Sequence, residues 1–342
     1  MYDLSTPLEV TTRWLNNFCY FHFMKQRALT FFTVLFVLTS CSVEVKKETI
    51  PQKAEPETPY VYVLGTAQDA GYPQANCEKS CCQRVYKDPS LEVYTSSIAL
   101  VDPISEEHWI FDATPNFREQ LKLLNDQTAS PKKLPDGIFL THAHIGHYTG
   151  LMHLGREVIG ASEVPVYAMP RMMNFLETNG PWSQLVTLQN IVLKHMKADV
   201  AMQLNERIIV TPFLVPHRDE YSETVGFKIQ IPGKSFVFIP DINKWHDWDR
   251  SIVELIKEVD YALVDATFYA DGEIPGRAMS EIPHPFVEES MNLFENLTSE
   301  EKSRVHFIHL NHTNPLLIEG SEAQIQVKHS GFNLAKQGMV LK

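Results

Sequence analysis

The sequence predicts an α/β fold in which helices cover β-sheets, and two observations support this class. From residue 60 onward, short β-rich runs alternate with amphipathic segments, a pattern typical of sheets covered by helices rather than of a helical bundle or an all-β barrel. The 342 residues are 44% hydrophobic and 21% charged, which is a globular balance. The composition therefore argues against disorder and against a polytopic membrane protein.

The charge balance indicates which partners to expect. Thirty Lys and Arg against 42 Asp and Glu give a formal net charge of -12. A nucleic-acid binder that works through a broad basic surface is disfavoured by this charge. We therefore expect a small-molecule substrate and no nucleic acid, and the sequence does not indicate an oligomeric state.

The first 59 residues differ from the rest of the chain. The apolar run Leu29 to Leu38 follows two basic residues and ends at Leu38-Thr39-Ser40-Cys41, which resembles a bacterial lipoprotein signal. We predict a signal peptide over residues 1–40, with a true start possible at Met24, and lipid attachment to Cys41. Residues 41–59 are rich in Lys, Glu and Pro and are expected to form a solvated linker. This interpretation places the protein outside the cytoplasm, attached to a bacterial membrane; an uncleaved N-terminal anchor is the alternative.

The folded domain is predicted to span residues 60–342. Its strands are expected where β-branched and aromatic residues cluster, and its helices where apolar residues recur at helical spacing. The predicted strands are Tyr60–Leu64, Ser96–Val101, Trp109–Asp112, Gly137–Leu140, Val164–Ala168, Ile208–Val215, Val225–Ile231, Ser235–Ile239, Tyr261–Val264, Val305–His309 and Met339–Leu341. The predicted helices are Asn116–Leu124, Thr149–Ile159, Arg171–Thr178, Ile252–Val259, Phe286–Leu297 and Glu322–Lys328.

Titratable residues fall at or just after the ends of these strands. They are Asp112, His142, His217, Asp241, Asp265 and His309. Because α/β sheets present ligands at the carboxyl ends of their strands, this placement predicts one site at the rim of the sheets.

The segment Thr141-His142-Ala143-His144-Ile145-Gly146-His147 carries the strongest signal. It directly follows a predicted strand, and three histidines within six residues can point neutral imidazoles at one or two divalent ions. The alternative is a solvated, histidine-rich loop.

This segment resembles the His-x-His-x-Asp-His motif of the metallo-β-lactamase superfamily, except that Gly146 stands in the place of the aspartate. Asp112 in IFDATPNF resembles the early aspartate that orients the metal-binding loop, and His217 resembles the next ligand. Asp241 in FVFIPDIN resembles the bridging carboxylate, and His309 in VHFIHLNHTNP the final histidine. The resemblance extends over the folded domain and implies an αββα sandwich with the metals at one edge between the sheets.

The resemblance also implies the roles of these ligands. His142, His144 and His217 would form one three-nitrogen site, and His147 and His309 would serve a second ion bridged by Asp241. Gly146 removes a carboxylate from the second site, so one or two ions remain possible, and His147 then has a hydrogen-bonding role as its alternative. A Gly146→Asp substitution is expected to strengthen the second site. Zinc is the expected metal, with iron or manganese also compatible with these ligands.

Three of the five cysteines, Cys77, Cys81 and Cys82, lie within six residues of one another. This cluster is compatible with a closed structural zinc site, with a disulfide or with free thiols. Together with HLNHTNP, the cluster resembles the pyrroloquinoline quinone biosynthesis protein B group and the phosphonate-pathway cyclic phosphodiesterases. That resemblance implies His312 as a fourth zinc ligand, although a loop hydrogen bond is its alternative. Those relatives carry Cys-x-Cys-x-x-Cys, whereas this chain has Cys-x-x-x-Cys-Cys.

The expected activity is hydrolysis of a phosphodiester or similar ester by metal-bound hydroxide. Arg218 would stabilise developing negative charge, and His284 would protonate the leaving oxygen. Asp265, the third candidate at the catalytic site, is expected to orient its neighbours. For His284 the alternative is a packed or helix-capping histidine.

Two other functions remain open. The biosynthesis-protein resemblance implies an iron-dependent oxidase, and Gly146 is compatible with a degenerate, non-catalytic metal-binding lipoprotein. The segment Arg171 to Trp182, rich in Met, Phe and Trp, forms either a substrate wall or core-facing packing.

Overall fold

The computed structural model describes residues 57–276 and 278–342. The predicted signal peptide, Cys41 and the linker up to residue 56 lie outside the described residues. Within the described part, two seven-stranded sheets pack face to face, and helices cover both outer surfaces. This arrangement confirms the predicted αββα sandwich.

The first sheet has the strand order β14-β1-β2-β3-β4-β5-β6 and the second β13-β12-β11-β10-β9-β8-β7. The strands are β1 Tyr60–Gly65, β2 Ser97–Asp102, β3 Glu107–Phe111, β4 Gly137–Phe139, β5 Val164–Ala168, β6 Ile191–His195, β7 Met202–Asn205, β8 Ile208–Leu214, β9 Val225–Ile231, β10 Lys234–Ile239, β11 Tyr261–Asp265, β12 Val305–Ile308, β13 Asn333–Leu334 and β14 Val340–Leu341. The α-helices are α1 Ser80–Lys87, α2 Phe117–Thr128, α3 Ile145–Tyr148, α4 Pro170–Thr178, α5 Trp182–Thr187, α6 Ile252–Glu258, α7 Val287–Leu293, α8 Ser299–Arg304 and α9 Glu322–His329.

Each sheet is antiparallel in one half and parallel in the other. In the first sheet, β3 to β6 pair in parallel; in the second, β10 to β13 do. The carboxyl ends of parallel strands lie at one edge of a sheet, which is where such folds build ligand sites. This topology brings the residues that follow β3, β4, β10, β11 and β12 to a common rim.

Strand β1 illustrates how the sequence pattern builds the layers. Val61 and Val63 point into the core between the sheets, whereas Tyr60, Tyr62 and Leu64 join the cluster under the helices. This alternation follows from the two-residue period of a strand. The central layer is rich in aromatic residues; for example, the Phe111 and Phe139 rings stack with centroids 4.8 Å apart.

The outer faces are covered by amphipathic helices. On α2, the buried residues Phe117, Gln120 and Leu124 recur at helical spacing and face the first sheet. On α6, Ile252 and Ile256 face the second sheet. The rim loops are thereby held on a rigid scaffold.

Several predicted elements differ in the structure. The predicted helix Thr149–Ile159 is wrong beyond its first half, because only Thr149–Leu154 is helical, as a 3-10 helix, and the chain then turns. Strands β6, β7 and β13 and helices α1, α3, α5 and α8 were not predicted from the sequence. β6 and β7 are partly exposed edge strands, so their residues lack a strong apolar signature. Among the described residues, no helix combines the length and apolar character needed to cross a membrane.

Candidate metal centre

The first group of inward-facing ligand atoms comes from the turn after β4 and the loop after β8. His142 Nε2 lies 2.9 Å from His144 Nδ1, which in turn lies 3.2 Å from His217 Nε2. Neighbouring ligand atoms around a tetrahedral zinc with bonds of about 2.05 Å lie about 3.3 Å apart. The three nitrogens are therefore spaced as ligands of one ion.

The surroundings of these rings fix which nitrogen faces inward. Thr141 Oγ1 lies 2.9 Å from His142 Nδ1, and Asn243 Oδ1 lies 3.2 Å from His217 Nδ1. Thr141 and Asn243 thus turn the Nε2 atoms of the two histidines toward the site, as hydrogen-bond partners of metal-ligating histidines commonly do. Burial lowers the pKa of His142 well below its ordinary value, which keeps the imidazole neutral and able to bind a metal.

The second group lies beside the first and consists of His147, His309, Asp241 and Asp69. His147 Nδ1 donates to Asp112 Oδ2 at 2.7 Å, so its Nε2 faces the group. His309 Nδ1 lies 2.9 Å from Thr267 Oγ1, which turns its Nε2 inward as well. Asp69 Oδ1 lies 3.4 Å from His147 Nε2 and 4.0 Å from His309 Nε2.

Asp241 lies between the two groups. Its Oδ2 lies 3.1 Å from His217 Nε2, 3.3 Å from His142 Nε2 and 3.9 Å from His147 Nε2. Burial opposes ionisation, but the charges of His217 and His284 outweigh it and hold the pKa of Asp241 well below its usual value. Asp241 is therefore an anion placed where it can bridge two cations.

The residues present fit a metal centre, because the inward-facing atoms of the second group have no other partner. Asp69 Oδ1, His147 Nε2 and His309 Nε2 are all buried without a hydrogen bond. A buried polar group without a partner is costly, and a coordinated cation satisfies all three at once. The cofactor of this site is accordingly a metal ion.

Asp112 and Asp265 orient the ligand side chains through hydrogen bonds from outside the two ligand groups. Asp112 accepts hydrogen bonds from the Thr141 backbone N–H at 2.8 Å and from His147. Asp112 and His309 both adopt the left-handed backbone conformation, with φ of 68° each. Such strain in non-glycine residues concentrates at functional sites, where surrounding contacts hold it in place.

His284 lies at the edge of the centre, next to Asp265. Its Nδ1 lies 2.9 Å from Asp265 Oδ2 and 3.2 Å from Asp241 Oδ1. Asp265 is fully buried and also accepts from the backbone N–H groups of Ile242 and Thr267, so it positions its neighbours. Burial disfavours the imidazolium, but the charges of both carboxylates outweigh it and raise the pKa of His284 to about 10.

Arg218 is placed differently from the other predicted site residues. Its side chain is exposed, and within the described residues it makes no hydrogen bond to the histidine and aspartate cluster. Its role in stabilising developing negative charge stays a prediction.

The three cysteines and His312 form a separate cluster. Their ligand atoms all lie within 4.8 Å of one another, and the cysteines are free, with Cys77 Sγ 4.0 Å from Cys81 Sγ. Cys82 is fully buried, and its burial raises the pKa of the thiol to about 12. The structure thus brings together the four residues predicted for a closed zinc site.

The segment Arg171–Trp182 both packs in the core and lines the surface. Met172 is buried in the core under the first sheet. Phe175 is half-buried, with its ring 5.3 Å from that of Tyr148 and 5.6 Å from that of the exposed Tyr221.

Asp69 is the site residue that sequence reasoning missed. It lies in the turn after β1, far in sequence from the histidine motif. The available signal was an aspartate four residues after the first strand, in Gln68-Asp69-Ala70-Gly71, in a chain whose motif aspartate is replaced by Gly146.

Comparison with known proteins identifies a domain family, relatives and solved structures that this chain resembles. Residues 108–309 match a family model described as a beta-lactamase superfamily domain. A coenzyme PQQ synthesis protein B from Rhizobium meliloti (strain 1021) is 26% identical over 309 residues, covering 82% of this chain and 97% of the relative. The protein of the same name from Pseudomonas entomophila (strain L48) is 28% identical over 312 residues, covering 83% of this chain and 99% of the relative.

Two solved structures share the fold. Zinc-bound PqqB from Methylobacterium extorquens superposes with a TM-score of 0.69 at 24% identity, covering 83% of this chain and 99% of that chain. A structure described as a new diphosphatase from the PhnP family gives a TM-score of 0.59 at 22% identity, covering 83% and 96%. These likenesses confirm the fold expected from the histidine motif.

Proposed function

The chain belongs to the beta-lactamase superfamily, and we propose that it is a metal-dependent hydrolase that cleaves a phosphodiester or similar ester. The observation that carries the proposal is the pair of adjacent ligand groups that share Asp241. Two such groups would hold two divalent ions, which would supply charge stabilisation for in-line displacement at phosphorus.

Bound divalent ions would supply Lewis acidity and lower the pKa of a water molecule. The chain's own residues provide the surroundings for that chemistry. Asp112 and Thr267 hold the His147 and His309 rings so that Nε2 faces inward. The buried carboxylate of Asp241 offsets the positive charge of the ions. The site is thereby preorganised before substrate binds.

His284 is proposed to protonate the leaving oxygen. Because Nδ1 faces Asp265 and Asp241, Nε2 is the ring nitrogen that remains for proton donation. The same carboxylates favour the imidazolium form, which carries a proton on both nitrogens. A general acid of this kind contributes roughly 10²- to 10⁴-fold to rate.

The function is tested by assaying the zinc-loaded full chain on two phosphodiesters, one with a nitrophenolate and one with an alkoxide leaving group. His284→Ala is expected to lower kcat about 100-fold or more on the alkoxide ester and less than about tenfold on the nitrophenyl ester. His246→Ala, at a largely exposed histidine, serves as the control and should leave both rates unchanged. Equal losses on the two esters would remove His284 from the acid role, and inactivity of the metal-loaded wild type on both would refute the hydrolase proposal.

A second candidate is the iron-dependent oxidase that the sequence resemblance implies; the relatives reported above are named coenzyme PQQ synthesis protein B. We propose zinc at both the centre and the cysteine cluster. Elemental analysis of the chain, purified without chelator or added metal, separates the two functions. Zinc alone supports hydrolysis, whereas zinc together with stoichiometric iron that depends on His142 and His144 supports the oxidase.

We further propose that the protein is exported and tethered to a membrane through a lipid on Cys41. In a bacterial host, the full chain is expected to incorporate labelled palmitate and to partition with membranes. Cys41→Ser should abolish the label and release the domain, while Cys19→Ser should change neither, because Cys19 lies outside the lipoprotein-like signal. Label that persists in Cys41→Ser would rule out lipidation at this residue.

A further inference from the structure

The second ligand group contains a carboxylate although the motif position that normally provides it is a glycine. We propose that Asp69 supplies the carboxylate that position 146 lacks, so that the second ion is held by Asp69, His147, Asp241 and His309. This inference rests on the metal-dependent function proposed above, but it concerns how the ion is bound and is tested by metal binding.

The geometry around Asp69 is that of a ligand. Its Oδ1 lies 3.4 Å from His147 Nε2, close to the spacing of about 3.3 Å expected for neighbouring ligands of one zinc ion. Both atoms are buried and neither has a hydrogen-bond partner. The other oxygen, Oδ2, accepts from Gln68 Nε2 at 3.3 Å, which leaves Oδ1 free to coordinate.

The backbone holds Asp69 against the second ligand group. The Gln68 N–H donates to the Leu310 carbonyl at 2.9 Å, and the Leu310 N–H donates to the Thr66 carbonyl at 2.7 Å. These bonds tie the Asp69 turn to the residue that follows His309. Thr95 Oγ1 also donates to the Asp69 carbonyl at 3.3 Å. The carboxylate is therefore placed by the fold.

Gly146 makes this placement possible. A Cβ atom at position 146 would lie 2.4 Å from Asp69 Cα and 2.5 Å from Asp69 Oδ1. The first of these contacts is with backbone, which cannot swing aside as a side-chain tip can. Any side chain at position 146 therefore excludes Asp69 from its present place. The expectation that Gly146→Asp alone strengthens the second site is wrong for this reason.

The two positions thus act as one unit, in which glycine in the motif provides room for an aspartate from the turn after β1. The ligand group keeps its two imidazoles and two carboxylates, but one carboxylate comes from a different part of the chain. The structure consequently provides a complete second site where the motif alone predicts an impaired one.

The first test removes the ligand. The full chain, stripped of metal and titrated with Co²⁺, is compared with Asp69→Asn and with Asp126→Asn at an exposed helix position. Asparagine tolerates the positive φ of residue 69, so the fold should be kept. Loss of a residue that only hydrogen-bonds a metal ligand lowers metal affinity about 10- to 100-fold. We expect Asp69→Asn to lose about 100-fold for one ion only, and Asp126→Asn to match wild type.

The second test displaces Asp69 without removing a ligand. Gly146→Ala is expected to weaken the same ion as Asp69→Asn does, and the double variant should be no worse than either single one. Gly180→Ala is the matched control, because a Cβ there meets no atom within 4 Å.

Unchanged cobalt stoichiometry and affinity in Asp69→Asn would overturn the proposal. A folded Gly146→Ala protein that binds both ions normally would overturn the link between the two positions. If the second ion depends on Asp69 but no ester is cleaved, this inference stands and the hydrolase proposal fails.

Discussion

Asp241→Asn is expected to empty both ligand groups and to lower phosphodiester hydrolysis about 10³-fold or more. Asp241 lies within ligand distance of His142, His217 and His147, so it contributes to both ions. Loss of a residue that hydrogen-bonds a metal ligand lowers metal affinity about 10- to 100-fold. Loss of a ligand shared by two ions should lower the affinity for each ion by at least that factor, which gives a combined loss of about 10²- to 10⁴-fold. Asparagine also removes the negative charge that offsets two cations in a buried site.

Metal content and kcat/KM of Asp241→Asn are measured alongside Asp249→Asn, which changes an exposed aspartate in the same loop after β10. The control should retain wild-type metal and activity. Circular dichroism establishes that both variants are folded. Retention of both ions by a folded Asp241→Asn protein would show that Asp241 does not bridge them.

The histidine centre was largely predictable because several of its ligands lie close together in the sequence. His142, His144 and His147 lie within six residues, and the other ligands each follow a recognisable strand. Parallel strands carry such residues to one rim, so strand prediction alone places them near one another. The prediction of a rim site follows from these facts, whereas the αββα sandwich was implied by the resemblance to the metallo-β-lactamase superfamily.

Asp69 was not predictable by the same route, since its role depends on contact between two turns that are separated in sequence by three strands, β2 to β4. The sequence shows a glycine in the motif and an aspartate after β1 but does not show that a Cβ at position 146 would overlap Asp69.

Edge elements were missed for a different reason. In β7, Met202 and Leu204 alternate with the polar residues Gln203 and Asn205, and the strand is partly exposed along its length. Its identity as a strand comes from pairing with β8 rather than from burial on both faces. Local propensity carries little information about such strands.

Cys82→Ser is expected to remove one metal ion, to leave the histidine centre loaded and to lower Tm by about 10 °C. The four candidate ligands join two separate segments, because Cys77, Cys81 and Cys82 precede or begin α1 whereas His312 follows β12. A closed zinc site contributes folding free energy directly. For a domain of this size, about 1 kcal/mol corresponds to roughly 2–4 °C in Tm, so the expected shift reflects the loss of about 3–4 kcal/mol.

The matched control for Cys82→Ser is Val85→Ala, which makes a cavity one turn later on the same helix without removing a ligand. Val85→Ala should lower Tm while the metal count stays at the wild-type value. If Cys82→Ser also keeps the wild-type number of metal ions, the cysteine cluster contributes only packing and the zinc prediction is wrong. If the wild-type Tm falls on adding reductant and not on adding chelator, a disulfide within residues 77–82 stabilises the domain instead. Loss of one ion with hydrolysis retained would separate the two metal sites, since His309 and His312 lie three residues apart yet face different clusters.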